Sequence, residues 1–354
     1  MKKYVFIIIT FLFSCVKDKP NPNITNNTTE EKQILILNEG AFGNNNSEIS
    51  ILSSTQQKVI TNTAYANANA TSMGDIAQSM IRIQNTLYVC INNSNRILAL
   101  NPNTFELKTS INSVLLPRYI APISSQYALV GTLYQNEIFV LNTETNNIVS
   151  SIQMPYKNAE AMVSYLAKTY VCLWDTACHA IYQIDNTTQK IDDSITIQVA
   201  APREMLLDIN NNAWILCGNK YQNKKSFLLH IDLANKQVIR QYTFDANAEP
   251  MRLTMNETKD SLYFILVNYQ GTQPFNGVYC MSITDQQLAN TPIIQAPNNS
   301  YFWGIGINPH NQHIYVSDPK GFTQSSTVFE YTKSGEFIQS FSTGIGSNQF
   351  YFSK

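Results

Sequence analysis

The sequence predicts an all-β protein, a seven-bladed β-propeller whose ring is closed by the C-terminal strand entering the first blade. Three observations predict it. An apolar strand recurs seven times, centred on Ile36, Val89, Val130, Val171, Ile215, Phe264 and Tyr315, at spacings of 53, 41, 41, 44, 49 and 51 residues. After each comes a polar loop, a second alternating strand, a turn rich in Asn, Thr and Asp, and a third strand; four-stranded units at this period are propeller blades. The N-terminal unit is one strand short, while Phe350-Tyr351-Phe352 stands alone after the last complete unit.

The chain opens on an export signal over residues 1–14. Lys2 and Lys3 give a positive start, and Val5 to Phe13 is an apolar run far shorter than a membrane-spanning helix. The run ends Leu12-Phe13-Ser14-Cys15, the lipobox pattern, which makes Cys15 the acylated first residue of a lipid-anchored protein. The alternative is an ordinary signal with a chance Cys. Residues 15–32 are polar and charged with little to bury, a flexible tether. The propeller takes 33–354.

In the first unit, Ile34 to Leu37, Glu48 to Leu52 and Lys58 to Asn62 are strands, and the C-terminal segment supplies the innermost one. That closure removes an open sheet edge. The second unit is Gln78 to Ile83, Leu87 to Ile91, Arg96 to Leu100 and Leu107 to Ile111, with its last hairpin turned by Asn101-Pro102-Asn103-Thr104. The third repeats it from Tyr119 to Ile152 with Asn142-Thr143-Glu144-Thr145 as the turn. Ile184-Asp185-Asn186-Thr187 and Ile231-Asp232-Leu233-Ala234 hold the same place later.

Composition narrows the function. Of 354 residues 14% are charged; without Lys2 and Lys3, 22 basic residues (24 − 2) face 25 acidic ones, a net charge of −3. No basic block remains, so nucleic acid is excluded as the expected partner. Besides Cys15 there are five cysteines with no CxxC; buried thiols are the expectation, with a Cys172–Cys178 pair across one loop as the alternative. No zinc pattern, Gly-x-Ser-x-Gly, His-Glu-x-x-His or phosphate loop occurs, so neither metal nor catalytic residues are expected.

Propeller connectivity sends the second-to-third-strand loops and the blade-to-blade links to one face. The longer loops, with aromatics and charges, fall there; the other face carries short turns. The candidate ligand-binding residues are Asn38, Phe42, Asp75, Asn92, Asn93, Arg118, Tyr134, Trp174, Arg203, Tyr269, Trp303 and Asp318. Trp and Tyr supply rigid apolar area with a donor, suited to a large amphipathic ligand. Structural packing is the alternative for any one of them, and Arg118 and Arg203 have the alternative of pairing with Glu160 or Glu204 as clips. Glu39, Asp75 and Asn92 are the residues a calcium-dependent lactonase-type propeller would recruit, a distant third reading.

Leu37-Asn38-Glu39-Gly40-Ala41-Phe42-Gly43, Asp75-Ile76-Ala77-Gln78-Ser79-Met80, Asn92-Asn93-Ser94-Asn95, Pro117-Arg118-Tyr119-Ile120, Trp214-Ile215-Leu216-Cys217, Gly304-Ile305-Gly306 and Tyr315-Val316-Ser317-Asp318 span the propeller. In these stretches the chain resembles the seven-bladed, YncE-like propeller lipoproteins of Bacteroidetes. Val16-Lys17-Asp18-Lys19 after the lipobox resembles their lysine-plus-acidic surface signal. The group includes surface proteins that capture cobalamin beside a TonB-dependent outer-membrane transporter. The resemblance implies an extracellular, non-enzymatic, ligand-binding propeller on the outer membrane, with cobalamin or another corrinoid as bound ligand and such a transporter as partner. On that reading Trp174 and Trp303 are apolar anchors, and Asn92, Asn93 and Arg118 meet amides. A protein-interaction or adhesion propeller without a small ligand is the alternative.

Overall fold

The computed structural model describes residues 33–268, 276–298 and 300–353. The export segment, Cys15 and the tether lie outside the described residues, as does Tyr269.

Seven antiparallel four-stranded sheets form the blades. From blade 1 to blade 7 the inner strands are Ser347–Phe352, Ala77–Ile83, Pro117–Pro122, Ala159–Tyr165, Pro202–Leu207, Glu249–Met255 and Gly304–Ile307. The second strands are Gln33–Asn38, Thr86–Ile91, Tyr127–Thr132, Lys168–Leu173, Ala213–Asn219, Ser261–Val267 and Ile314–Asp318. Closure is as the sequence predicts. Ser347–Phe352 pairs with Gln33–Asn38, matching Phe350 with Ile36 and Phe352 with Ile34.

The second strands are apolar throughout because both their faces are covered, and the two-residue period deals their side chains to opposite neighbours. In blade 2, Leu87, Val89 and Ile91 join the cluster shared with blade 1, whereas Tyr88 and Cys90 join the one shared with blade 3. Blade 4 does the same: Val171 and Leu173 face blade 3, Tyr170 and Cys172 face blade 5. The core is therefore seven interblade seams, the last of which packs Ile34 and Ile36 of blade 1 against Tyr315 of blade 7. Outer strands have water on one side and alternate accordingly, as in Lys190–Thr196. Each buried Leu, Ile or Val contributes about 1.5–3 kcal/mol.

Two features depart from expectation. The inner strands of blades 2 and 3 begin earlier than predicted, at Ala77 rather than Gln78 and at Pro117 rather than Tyr119. Proline at the first position of a strand forfeits no ladder donor, so Pro117 and Pro202 can open theirs. A short helix, Ala64–Asn69, lies in the link to blade 2 and was not expected. The cysteines follow the expectation of buried thiols rather than the alternative pair: Cys172 and Cys178 are free and fully buried. They sit in different seams, on opposite faces of blade 4, so they do not pair.

Candidate functional site

The inner strands carry a recurrent defect. Pairing with the second strand skips a residue between Ala77 and Ser79, Ala159 and Ala161, Pro202 and Glu204, and Ser347 and Gln349; it skips two between Pro117 and Ile120 and between Met251 and Thr254. Only blade 7 pairs without a break. The skipped residues are Gln78, Glu160, Arg203, Asn348, Arg118 with Tyr119, and Arg252 with Leu253. A bulge re-aims a side chain out of the pleat. Six blades thus each turn a polar side chain toward the axis at one level. A residue at positive φ precedes five of these strands: Gly346, Ile76, Leu116, Asn158 and Ala201. For a β-branched residue such as Ile76, at φ 58°, this is a strained setting, and such strain clusters at working sites.

These side chains line a cavity of about 820 Å³. Inner strands run from the long-loop face inward, so the cavity has three levels. Phe42, Trp174, Tyr221 and Trp303 stand at the mouth. Below them is a charged belt of Glu39, Arg118, Glu160, Arg203, Glu204, Glu249 and Arg252. Further down the lining is apolar, with Ile120, Met162, Met205, Ile307, Phe350 and Phe352.

The belt is held by charge-assisted bonds between blades. Arg118 engages both oxygens of Glu160 at 2.9–3.1 Å, and also bonds Gln78 of the blade before. Burial disfavours its charge, but Glu160 and Tyr119 outweigh that and hold the guanidinium protonated. One oxygen of Glu39 accepts from Asn348 Nδ2 at 2.8 Å, Trp303 Nε1 at 3.1 Å and Arg252 Nη2 at 3.2 Å. Arg252 also lies 5.0 Å from the Trp303 ring centroid, a cation–π contact. Glu204 does not clip Arg203; it accepts the backbone N–H groups of Arg252 and Leu253. Arg203 instead faces Glu249, at 3.6 Å.

Six of the sequence-predicted residues meet at the cavity: Phe42, Asn92, Arg118, Trp174, Arg203 and Trp303. Asn92 spends its amide on the Pro117 carbonyl, and the Trp174 indole donates to the Gly218 carbonyl at 3.0 Å. The others stand apart. Asn38 is fully buried and stitches blade 1 together through Ser50 and Ser347. Asp75 accepts from Gly43 N at 2.9 Å and from Asn93 Nδ2 at 2.5 Å, so Asp75 and Asn93 brace the Phe42 loop. Tyr134 is an exposed rim residue, and Asp318 caps the backbone at Lys320. Among the described residues no group of three or more His, Cys, Asp or Glu is placed to hold a metal. No described helix is long and apolar enough to cross a membrane.

Sequence reasoning missed Gln78, Glu249 and Asn348. A signal existed in Ala77-Gln78-Ser79-Met80, Ala159-Glu160-Ala161-Met162, Pro202-Arg203-Glu204-Met205 and Ser347-Asn348-Gln349-Phe350. Each is a small residue or proline, a polar residue, any residue, then a bulky apolar one, and the polar member is the skipped one.

The model of a family described as a domain of unknown function, DUF5074, matches residues 32–353. The chain belongs to that family. No curated protein matches this DUF5074 chain. Among solved structures it is similar to a quinoprotein alcohol dehydrogenase-like protein from Bacteroides thetaiotaomicron, with TM-score 0.70 and 13% identity over 90% of this chain and 78% of that one. It is also similar to a protein from Lactobacillus plantarum, with TM-score 0.66 and 13% identity over 92% and 100%. Hydrazine synthase from Kuenenia stuttgartiensis follows with TM-score 0.58 and 11% identity over 75% and 86%. At these identities the likeness shows the shared propeller fold.

Proposed function

We infer that this DUF5074 propeller is a capture protein that takes one amphipathic ligand into its axial cavity. The observation that carries the reading is the cavity itself: about 820 Å³, aromatic at the mouth, charged at mid-depth and apolar below. Concave sites of this size with a few convergent polar groups are the usual form of ligand pockets. The reading is of binding rather than turnover, because the Arg118–Glu160 and Arg252–Glu39 pairs engage one another and leave no free acid–base couple between them.

A corrinoid is the favoured ligand. It combines a broad ring, which the mouth aromatics can stack on, with peripheral amides for a polar belt. The lipobox at Cys15 supports a lipid anchor, and with the signal-like Lys17-Asp18-Lys19 it supports display on an outer membrane beside a TonB-dependent transporter. Titrating the protein with cyanocobalamin in a calorimeter tests this. One-to-one binding is expected, weakened in Trp174→Ala and Trp303→Ala by about 2 kcal/mol each, roughly 30-fold. No heat at tens of micromolar ligand with folded protein would remove the corrinoid.

One observation favours a second reading, docking of another protein on the same face. Phe42, Tyr134 and Tyr221 around the mouth are 77%, 68% and 74% exposed. Unchanged partner pull-down after all three are replaced by Ser would dismiss it.

A further inference from the structure

Two ion pairs of neighbouring blades lie in the belt, and they differ. Arg118 and Glu160 are joined by three contacts of 2.9–3.1 Å. Arg203 and Glu249 approach only to 3.6 Å, beyond hydrogen-bond length. Arg203 bonds the Pro250 carbonyl through Nη2, but its Nε–H has no acceptor. Glu249 Oε2 has no donor. Both residues line the cavity, at 9% and 4% exposure. A buried donor and a buried acceptor left open on two facing side chains are costly, and such gaps call for an explanation.

We propose that Arg203 and Glu249 form a subsite for a primary carboxamide of the ligand. The proposal rests on the reading of the cavity as a ligand site. The amide carbonyl accepts from Arg203 Nε, and the amide N–H donates to Glu249 Oε2. Charge selects the amide over its relatives. A carboxylate meets Glu249 and the neighbouring Glu204, and an ammonium meets Arg203 and Arg252. A neutral group with a donor and an acceptor on adjacent atoms fills both vacancies and leaves the ion pair balanced. The loose 3.6 Å approach lets the two side chains part slightly to admit it. The amide contacts expected from sequence at Asn92, Asn93 and Arg118 are already occupied by protein partners. This wall is where open hydrogen bonds remain.

The test follows the arginine Nε–H resonances of the ¹⁵N-labelled full chain, with the Arg203 signal assigned by its loss in Arg203→Lys. Propionamide is titrated in, with propionate and N,N-dimethylpropionamide as controls. A saturable shift of the Arg203 signal is expected with propionamide, weakened about tenfold in Glu249→Ala, the loss of one hydrogen bond to a charged group. The two controls should bind at least tenfold more weakly. No shift with propionamide, or equal response to either control, overturns the subsite. If Glu249→Ala does not fold, Glu249→Gln serves, keeping an acceptor and retaining most of the response. Cyanocobalamin binding without an amide response would sink the subsite and spare the capture reading; an amide response without cyanocobalamin binding would support the subsite and remove only the corrinoid.

Discussion

Glu48 lies at the start of a blade 1 strand, against the short helix Ala64–Asn69. One of its oxygens accepts from Ala66 N at 3.1 Å; the other is buried without a partner. Burial pushes its carboxyl up to about 7, against the pull of the backbone amides at Ala66, Tyr65 and Ile49. A carboxyl whose folded pKa exceeds its unfolded value binds more protons in the folded state. Its protonation therefore favours folding most below about pH 4.5, and that advantage is lost as pH rises to about 7. Glu48→Gln should remove this slope and stabilise the protein at pH 8 by on the order of 1–2 kcal/mol, after allowance for solvent screening. Urea unfolding of both proteins at pH 5 and pH 8 checks it. A wild-type midpoint that rises over that interval would contradict the assignment. Nothing in the local sequence gave Glu48 away. Its neighbours Ser47 and Ile49 mark a strand, but its depth depends on a helix sixteen residues further on. Trp174 and Trp303, in contrast, were legible as lining residues, because propeller connectivity alone sends their loops to one face, although both indoles also bond the protein itself.

At the scale of the element, the second strands were read almost to the residue, since burial on both faces leaves an uninterrupted apolar run. The inner strands were misread at their starts. Pro117, Pro202 and the polar residues after them look like loop text, and a skipped pairing is marked only by the pattern of a small residue or proline, a polar residue, any residue and a bulky apolar one. The blades also approach one another more closely than side-chain patterns reveal. Gly131 sits in the second strand of blade 3, where a Cβ would come within 2.2 Å of the Ala159 carbonyl oxygen in blade 4. That contact is with backbone, so the seam must open to admit even one methyl group. Gly131→Ala should cost about 3 kcal/mol or more, at the upper end of overpacking penalties. Denaturant melts that matched wild type within about 0.5 kcal/mol would show that blades 3 and 4 slide apart freely.

For the whole molecule, closure of the ring links the two ends of the chain, and it also builds the site. Asn348 of the closing strand donates to Glu39 and to the carbonyls of Ala77 and Gln78, while Gln349 bonds both backbone groups of Met80. One strand therefore joins blade 1, blade 2 and the belt. Removing residues 347–354 should abolish the cooperative melt seen by near-ultraviolet circular dichroism, because it uncovers Ile34 and Ile36 and opens a sheet edge. A truncated chain that kept a single sharp transition would show that six blades and a partial seventh are enough. The sequence revealed the closure because a lone apolar triplet had nowhere else to go. It did not reveal that Glu39, Trp303 and Asn348 converge, since that contact spans 309 residues of chain.

The closing strand also sets a timetable. A ribosome makes Gln33–Asn38 first among the described strands and Ser347–Phe352 last, so the inner edge of the first blade stays bare until the other six blades have been made. The carboxylate of Glu39 waits just as long for Asn348. A nascent chain therefore has no finished cavity until residues 347–352 have been made. Termination anywhere upstream yields a product whose first blade keeps a bare inner edge and whose cavity lacks Asn348, Gln349, Phe350 and Phe352.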